Sequence, residues 1–141
     1  MIRKYTSKDT SFIIDIWQQA SALAHPFLDD NFVKKVKKDM KEIYLPNAET
    51  WVFEENNIVI GFISMIGNEI GGLFVLPNRH SKGVGTKLVD FIGEIHTELE
   101  VEVFKDNKIG RAFYDKYGFK KIKEFFHEET KQDLIRMKFN N

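Results

Sequence analysis

Apolar residues recur along this chain with two periods, and their alternation predicts its architecture. Ile13, Ile16, Trp17, Ala20, Leu23 and Ala24 fall at helical spacing after Asp9 and Thr10, either of which can cap a helix. His25-Pro26 ends that helix, because the residue before a proline avoids the α region. Phe32, Val33, Val36, Met40 and Ile43 predict a second, more charged helix from Asp30 to about Tyr44, broken by Pro46-Asn47. Val84, Leu88, Phe91/Ile92 and Ile95 predict a third helix over 83–98. A fourth covers 107–117, where Gly118 suits a left-handed cap.

The strands fill the gaps. Ile2 to Tyr5 is short. Trp51 to Glu54 and Ile58 to Ile66 flank Glu55-Asn56-Asn57, a hairpin signal. Asn68 starts a strand running to Leu76, and in Leu99 to Phe104 three apolar residues alternate with Glu98, Glu100 and Glu102. Phe119 to Phe126 and Leu134 to Phe139 close the chain. The order β-α-α-β-β-β-α-β-α-β-β predicts an α/β (α+β) fold. The expectation is one domain over residues 1–141, built on a mixed, mostly antiparallel sheet of six or seven strands with helices on both faces. The strands flanking the 83–98 helix should be the parallel pair, as a βαβ crossover requires.

Composition narrows the function. Lys and Arg number 21, as do Asp and Glu, so nothing suggests broad adhesion to nucleic acid or membrane. Without cysteine there is no disulfide, no thiolate metal site and no cysteine acyl-enzyme. No apolar leader or 18-residue apolar run stands in the sequence, so a cytoplasmic protein is expected. His96 and His127 have no partner at metal-ligand spacing, and no metal site is expected.

Phe74-Val75-Leu76-Pro77-Asn78-Arg79-His80-Ser81-Lys82-Gly83-Val84-Gly85-Thr86 reads as a strand end, a basic turn and two glycines opening a helix. Bare N–H groups and the helix dipole make such a turn an anion cradle. Ser81 lacks the G-x-S-x-G setting of a nucleophile. Gly71-Gly72 inside a strand marks a bulge or a close backbone approach. Asn107 stands at a helix start, a natural N-cap, and Tyr114 lies two turns on, facing the same side. A phenol is protonated at neutral pH and can meet a departing anion. Glu69, between Ile66 and Ile70, is either a carboxylate with a raised pKa or an exposed residue after the turn Gly67-Asn68. His25 either complements a helix dipole or accepts a proton near neutral pH.

His80-Ser81-Lys82-Gly83-Val84-Gly85 resembles the Arg/Gln-x-x-Gly-x-Gly/Ala cofactor loop of the GNAT superfamily of acyl-CoA-dependent N-acetyltransferases. Asn107, Tyr114, Gly118 and Phe119 match that family's later motif, and the likeness spans roughly residues 57 to 120. His80 departs from the usual Arg or Gln. The resemblance implies acetyl-CoA as co-substrate, its pyrophosphate held by the amides of Lys82 through Thr86. It implies that the pantetheine arm lies along Phe74 and Val75, with the Val75 N–H as candidate oxyanion donor and Asn107 on the cofactor arm. Tyr114 is then the general acid, Glu69 or a water chain the base, and Trp17, His25 and Phe27 the acceptor-side residues. The reaction would pass the acetyl group directly to an amine on a small molecule or peptide. Two alternatives stay open: a GNAT-type toxin acetylating aminoacyl-tRNA, and a non-catalytic CoA-binding sensor or regulatory module. The sequence leaves the acceptor and the oligomeric state open, a homodimer included.

Overall fold

The computed structural model describes residues 1–140. Its elements are β1 (Ile2–Lys4), α1 (Thr10–Ala24), α2 (Asp30–Asp39), a three-residue turn α3 (Leu45–Asn47), β2 (Glu49–Glu55), β3 (Ile58–Ile66), β4 (Glu69–Val75), α4 (Val84–Gly93), β5 (Glu98–Phe104), α5 (Lys108–Tyr117), β6 (Lys120–His127) and β7 (Gln132–Asn140). The predicted order holds, with short helical turns added at Ser7–Asp9, Leu45–Asn47 and Pro77–Arg79. All seven strands form one sheet in the order β1-β2-β3-β4-β5-β7-β6. Every pairing is antiparallel except β4 with β5, the pair that α4 joins.

Alternation along each strand feeds two cores. Val52 and Phe62 pack with Ile13, Ile16 and Trp17 of α1 and with Met40 and Leu45. On the opposite face Phe53, Ile63 and Ile70 meet Val84, Leu88 and Ile92 of α4 and Tyr114 of α5. Helices therefore cover both faces, and β3 between them is buried from Val59 to Met65 save for Ser64. The β2–β3 hairpin turns on Asn56 (φ 52°) and Asn57 (φ 66°), two residues that tolerate the left-handed region. No helix among the described residues is long and apolar enough to cross a membrane.

The second helix departs from its predicted course. After Asp39 the chain forms a π turn over Met40–Tyr44, in which the Leu45 N–H donates to the Met40 carbonyl. The wider turn rotates the residues after it, so Met40 and Leu45 are buried and Ile43, expected inward, is 51% exposed. Pro46 does not break the helical path at that point. It sits in the first turn of α3, where no N–H is needed. On α1, Leu23 is exposed and Ser21 is buried in its stead.

The seam between β4 and β5 sets up the site. They pair only at Glu69–Glu100 and Ile70–Val101. The β3 partner then steps from Met65–Ile70 to Ser64–Gly72, which leaves Gly71 as a bulge. A Cβ on Gly71 would lie 3.3 Å from Ile66 Cδ1, so the bulge favours glycine. Beyond it β4 and β5 part.

Candidate active site

A cleft of about 1340 Å³ opens where the two strands diverge. Leu76 N–H donates to the Ile60 carbonyl and Phe74 lies opposite Phe62, so these residues hydrogen-bond toward β3. By the alternation of an antiparallel ladder, Leu73 and Val75 turn their N–H groups toward β5, which is no longer alongside. β4 therefore offers an unpaired edge to the cleft.

Residues 76–83, with a 3-10 turn over Pro77–Arg79, join that edge to the first turn of α4, which lines the same cleft. Gly83 (φ 81°) is its N-cap and contributes no side chain, so the N–H groups of Val84, Gly85 and Thr86 lack an intrahelical acceptor. Inside the helix, the Lys87 N–H donates to the Gly83 carbonyl. A Cβ on Gly83 would meet nothing within 4 Å, and Gly83 to Thr86 all line the cleft. Gly85 has a different reason. Its Cβ would stand 3.2 Å from Phe113 Cε1, so glycine there lets α4 lie against α5. Ser81 also adopts a left-handed backbone (φ 64°). His80 turns inward, its Nε2–H donating to the Val75 carbonyl at 2.9 Å, and so pins the loop to the end of β4. Lys82, Arg79 and Lys87 rim a neighbouring hollow with Phe53 and Glu55.

α5 begins differently. Asn107 Oδ1 accepts from the Gly110 N–H at 2.8 Å, the expected N-cap. A Cβ on Gly110 would lie 2.5 Å from Asn107 Nδ2, so the cap demands glycine at that place. Asn107 Nδ2 donates to His25 Nε2 at 3.0 Å. The far side of the ring faces Ser21, with Nδ1 3.1 Å from Oγ. Because Oδ1 is claimed by a backbone N–H, the other end of the amide must be NH2, and His25 Nε2 must accept. His25 is thus neutral with its proton on Nδ1, and burial lowers its pKa to about 4. Its second nitrogen is already engaged, which removes it as a proton acceptor near neutral pH. The ring lies edge-on to Phe27, Phe74 and Phe104, with centroids 5.8, 6.4 and 5.0 Å away.

Tyr114 is 6% exposed, and its hydroxyl has no hydrogen-bond partner among the described residues. It lines the same cleft as Asn107, Trp17 and His25. Burial pushes its pKa up, so the phenol stays protonated. Phe27 packs on His25 and Phe104. Glu69 lies on the cleft wall, half-buried and paired with a cation. Ile70 turns into the opposite core and Ile66 is 60% exposed. Arg136 reaches Glu69 Oε1 at 3.0 Å, and the same guanidinium meets Glu100 and Glu102 at 2.6 and 2.8 Å. Three carboxylates around one guanidinium leave two net negative charges. Sequence reading missed Arg136, Gly110 and Ser21. Gly110 alone had a local signal, its place three residues after a capping asparagine. No metal-holding cluster of His, Asp and Glu occurs among the described residues.

The model of the GNAT acetyltransferase domain matches residues 46–121, more than half of the chain. The chain belongs to the GNAT acetyltransferase family. As a GNAT enzyme it is an acyltransferase, and curated relatives match most of its length. The peptidyl-lysine N-acetyltransferase YiaC of Escherichia coli K12 is 29% identical over 131 residues, 92% of this chain and 90% of that one. YjaB of the same strain, also named a peptidyl-lysine N-acetyltransferase, is 29% identical over 120 residues, 84% and 81% of the two chains. The solution structure of apo YjaB superposes with a TM-score of 0.88 at 25% identity, covering 99% of this chain and 96% of that one. The PaiA N-acetyltransferase of Thermoplasma acidophilum, solved with coenzyme A, shares the fold at a TM-score of 0.79 and 19% identity, covering 99% and 98%. The GNAT cleft fits a coenzyme A arm on its own geometry: an unpaired β4 edge for an extended chain, then bare amides lining the cleft for an anion.

Proposed function

We propose that this enzyme transfers an acetyl group from acetyl-CoA directly to the side-chain amine of a peptidyl lysine. One observation carries the reading: the free edge of β4, the uncapped start of α4 and the unpartnered Tyr114 hydroxyl line the same cleft. Acetyl-CoA supplies the activated acyl carbon as a thioester. The amides of Lys82 through Thr86 hold its pyrophosphate, Phe74 and Val75 align its arm, and Asn107 adds a contact from the other side. The Val75 N–H faces the charge that develops on the acyl oxygen. The amine must lose a proton before it attacks. Glu69 takes that proton through a water on Oε2, since Arg136 occupies Oε1. As the carbon–sulfur bond breaks, Tyr114 gives its proton to the sulfur and recovers one from water.

The choice of lysine has two supports. YiaC and YjaB both carry the name peptidyl-lysine N-acetyltransferase. Glu69 and Glu102, part of a cluster with net negative charge, line the cleft and suit a cationic acceptor. Thiol release from acetyl-CoA, measured with purified protein, tests the reading. Lysine peptides should raise the rate well above that with no acceptor. A polyamine or aminoacyl-tRNA that outperforms every lysine peptide would reject the acceptor but keep the chemistry. No release with any amine, despite CoA binding, would leave the binding module in its place.

A further inference from the structure

We propose that His25 is a positioning residue for acetyl-CoA: its imidazole holds the Asn107 amide in the orientation that caps α5 and keeps one N–H for the cofactor. The inference rests on the acetyl-CoA reading above, but its structural half stands apart from it. Asn107 is 7% exposed and lines the cleft. Its Oδ1 belongs to the Gly110 N–H, and Nδ2 carries two hydrogens. One goes to His25 Nε2. The second has no partner among the described residues. An asparagine side chain capped only at Oδ1 can still swing about that bond. The His25 contact removes this freedom, so the amide is set before any ligand arrives.

The ring is itself held from all sides. Ser21 faces Nδ1, and Phe27, Phe74 and Phe104 pack around the ring at steep angles. Phe74 belongs to β4 and Phe104 to β5, the two strands that part. His25 thus links the end of α1, both walls of the cleft and the start of α5 through one imidazole. Sequence separation hides this link, since His25 and Asn107 are 82 positions apart. No charged group touches the ring among the described contacts. The His127 ring lies 6.4 Å from Phe104, which packs on His25.

Two measurements test it. In the free wild-type protein, 15N NMR of the histidine rings at neutral pH should show His25 with Nε2 unprotonated and Nδ1 protonated. A protonated Nε2 would overturn the proposal, because it could not accept from Asn107. His25→Phe keeps an aromatic ring in the cage and removes both nitrogens. It should weaken CoA binding roughly tenfold by calorimetry, the scale of one hydrogen bond, and raise the KM for acetyl-CoA more than it lowers kcat. His25→Gln restores an acceptor and should recover most of that loss. A purely structural histidine would lower the melting temperature in both variants and leave the CoA affinity of the folded protein within about twofold, and that outcome rejects the proposal. Should His25→Phe not fold, CoA added to the wild type must shift the His25 Nε2 resonance, and an unmoved resonance rejects it equally. A wild type that fails to bind CoA would sink the acetyl-CoA reading instead, a result visible without any His25 variant.

Discussion

Two helices point their first turns into one cleft, and they are finished in opposite ways. α4 starts on Gly83, with no side chain and no acceptor for its first amides. α5 starts on Asn107, whose carbonyl oxygen takes the Gly110 N–H. Both come after a strand and both carry the same dipole. Only the uncapped one leaves that dipole and its amides for a ligand. The capped one offers side chains, Asn107 at its start and Tyr114 two turns on. Backbone strain divides the same way. Ser81 and Gly83 before α4 both have positive φ, while Asn107 does not. Withholding a side-chain cap leaves the first amides of a helix free for an anion, and here the bare and the capped case stand side by side.

The largest effect should come from the helix that works through its side chains. Tyr114→Phe removes one hydroxyl and keeps the packing. If the phenol protonates the departing sulfur, kcat falls about 10²–10⁴-fold while CoA affinity barely moves. Turnover within about twofold of wild type would make Tyr114 a packing residue and shift α5's part to Asn107 alone.

Next comes the bare terminus. Gly83→Asp places a carboxylate in open space but at a left-handed backbone, so it strains the loop and should lower the melting temperature without unfolding the protein. A like charge beside a phosphate costs on the order of 3 kcal/mol at an effective dielectric near 20, so CoA affinity should drop about a hundredfold. Calorimetry alongside a melting curve separates the two effects. Unchanged CoA binding would mean the uncapped start of α4 is not where the anion sits.

The capped terminus makes its own prediction, on stability. His25 has a folded pKa of about 4, below its ordinary 6.5, because burial disfavours the charged ring. Between those values the unfolded chain binds a proton that the folded one does not. The stabilisation is complete above pH 6.5 and is lost as pH falls toward 4, on the order of 3 kcal/mol. Urea unfolding across this window should show the slope, and His25→Phe should flatten it. An equal slope in the variant would assign the titration to other groups.

The smallest effect tests strain before α4. Ser81→Gly relieves a left-handed serine and should raise stability by roughly 0.5 kcal/mol with CoA affinity unchanged. A clear loss of affinity would show that the Ser81 hydroxyl itself touches the ligand.

What could be read from the sequence was local or periodic. Ile58–Ile66 is found with both ends as predicted, because β-branched residues bounded by turn signals leave little choice. The cap at Asn107, the left-handed Gly118 and the parallel pair around α4 came from rules that span a few residues or one crossover. Ile43 was given the wrong face because a constant helical period was assumed across Met40–Tyr44, where the π turn adds a residue. The partner of Glu69 was not legible for another reason. Its partner Arg136 lies 67 positions away and enters through the β5–β7 register, which no local pattern reports. Gly85 looked like part of the cradle by motif, and only packing against Phe113 shows its other duty.

The two-residue seam between β4 and β5 has one more consequence. With Glu100 N–H donating to the Asn68 carbonyl, it is the narrow join between two antiparallel blocks, β1 to β4 and β5 to β7. Few hydrogen bonds cross that join although one apolar core spans both blocks, and amides beside it should exchange with solvent sooner than those in the middle of β3. A molecule laid along the gap would touch both blocks at once and staple them. Its protection would then reach β3 and β7 together, far from any atom it contacts.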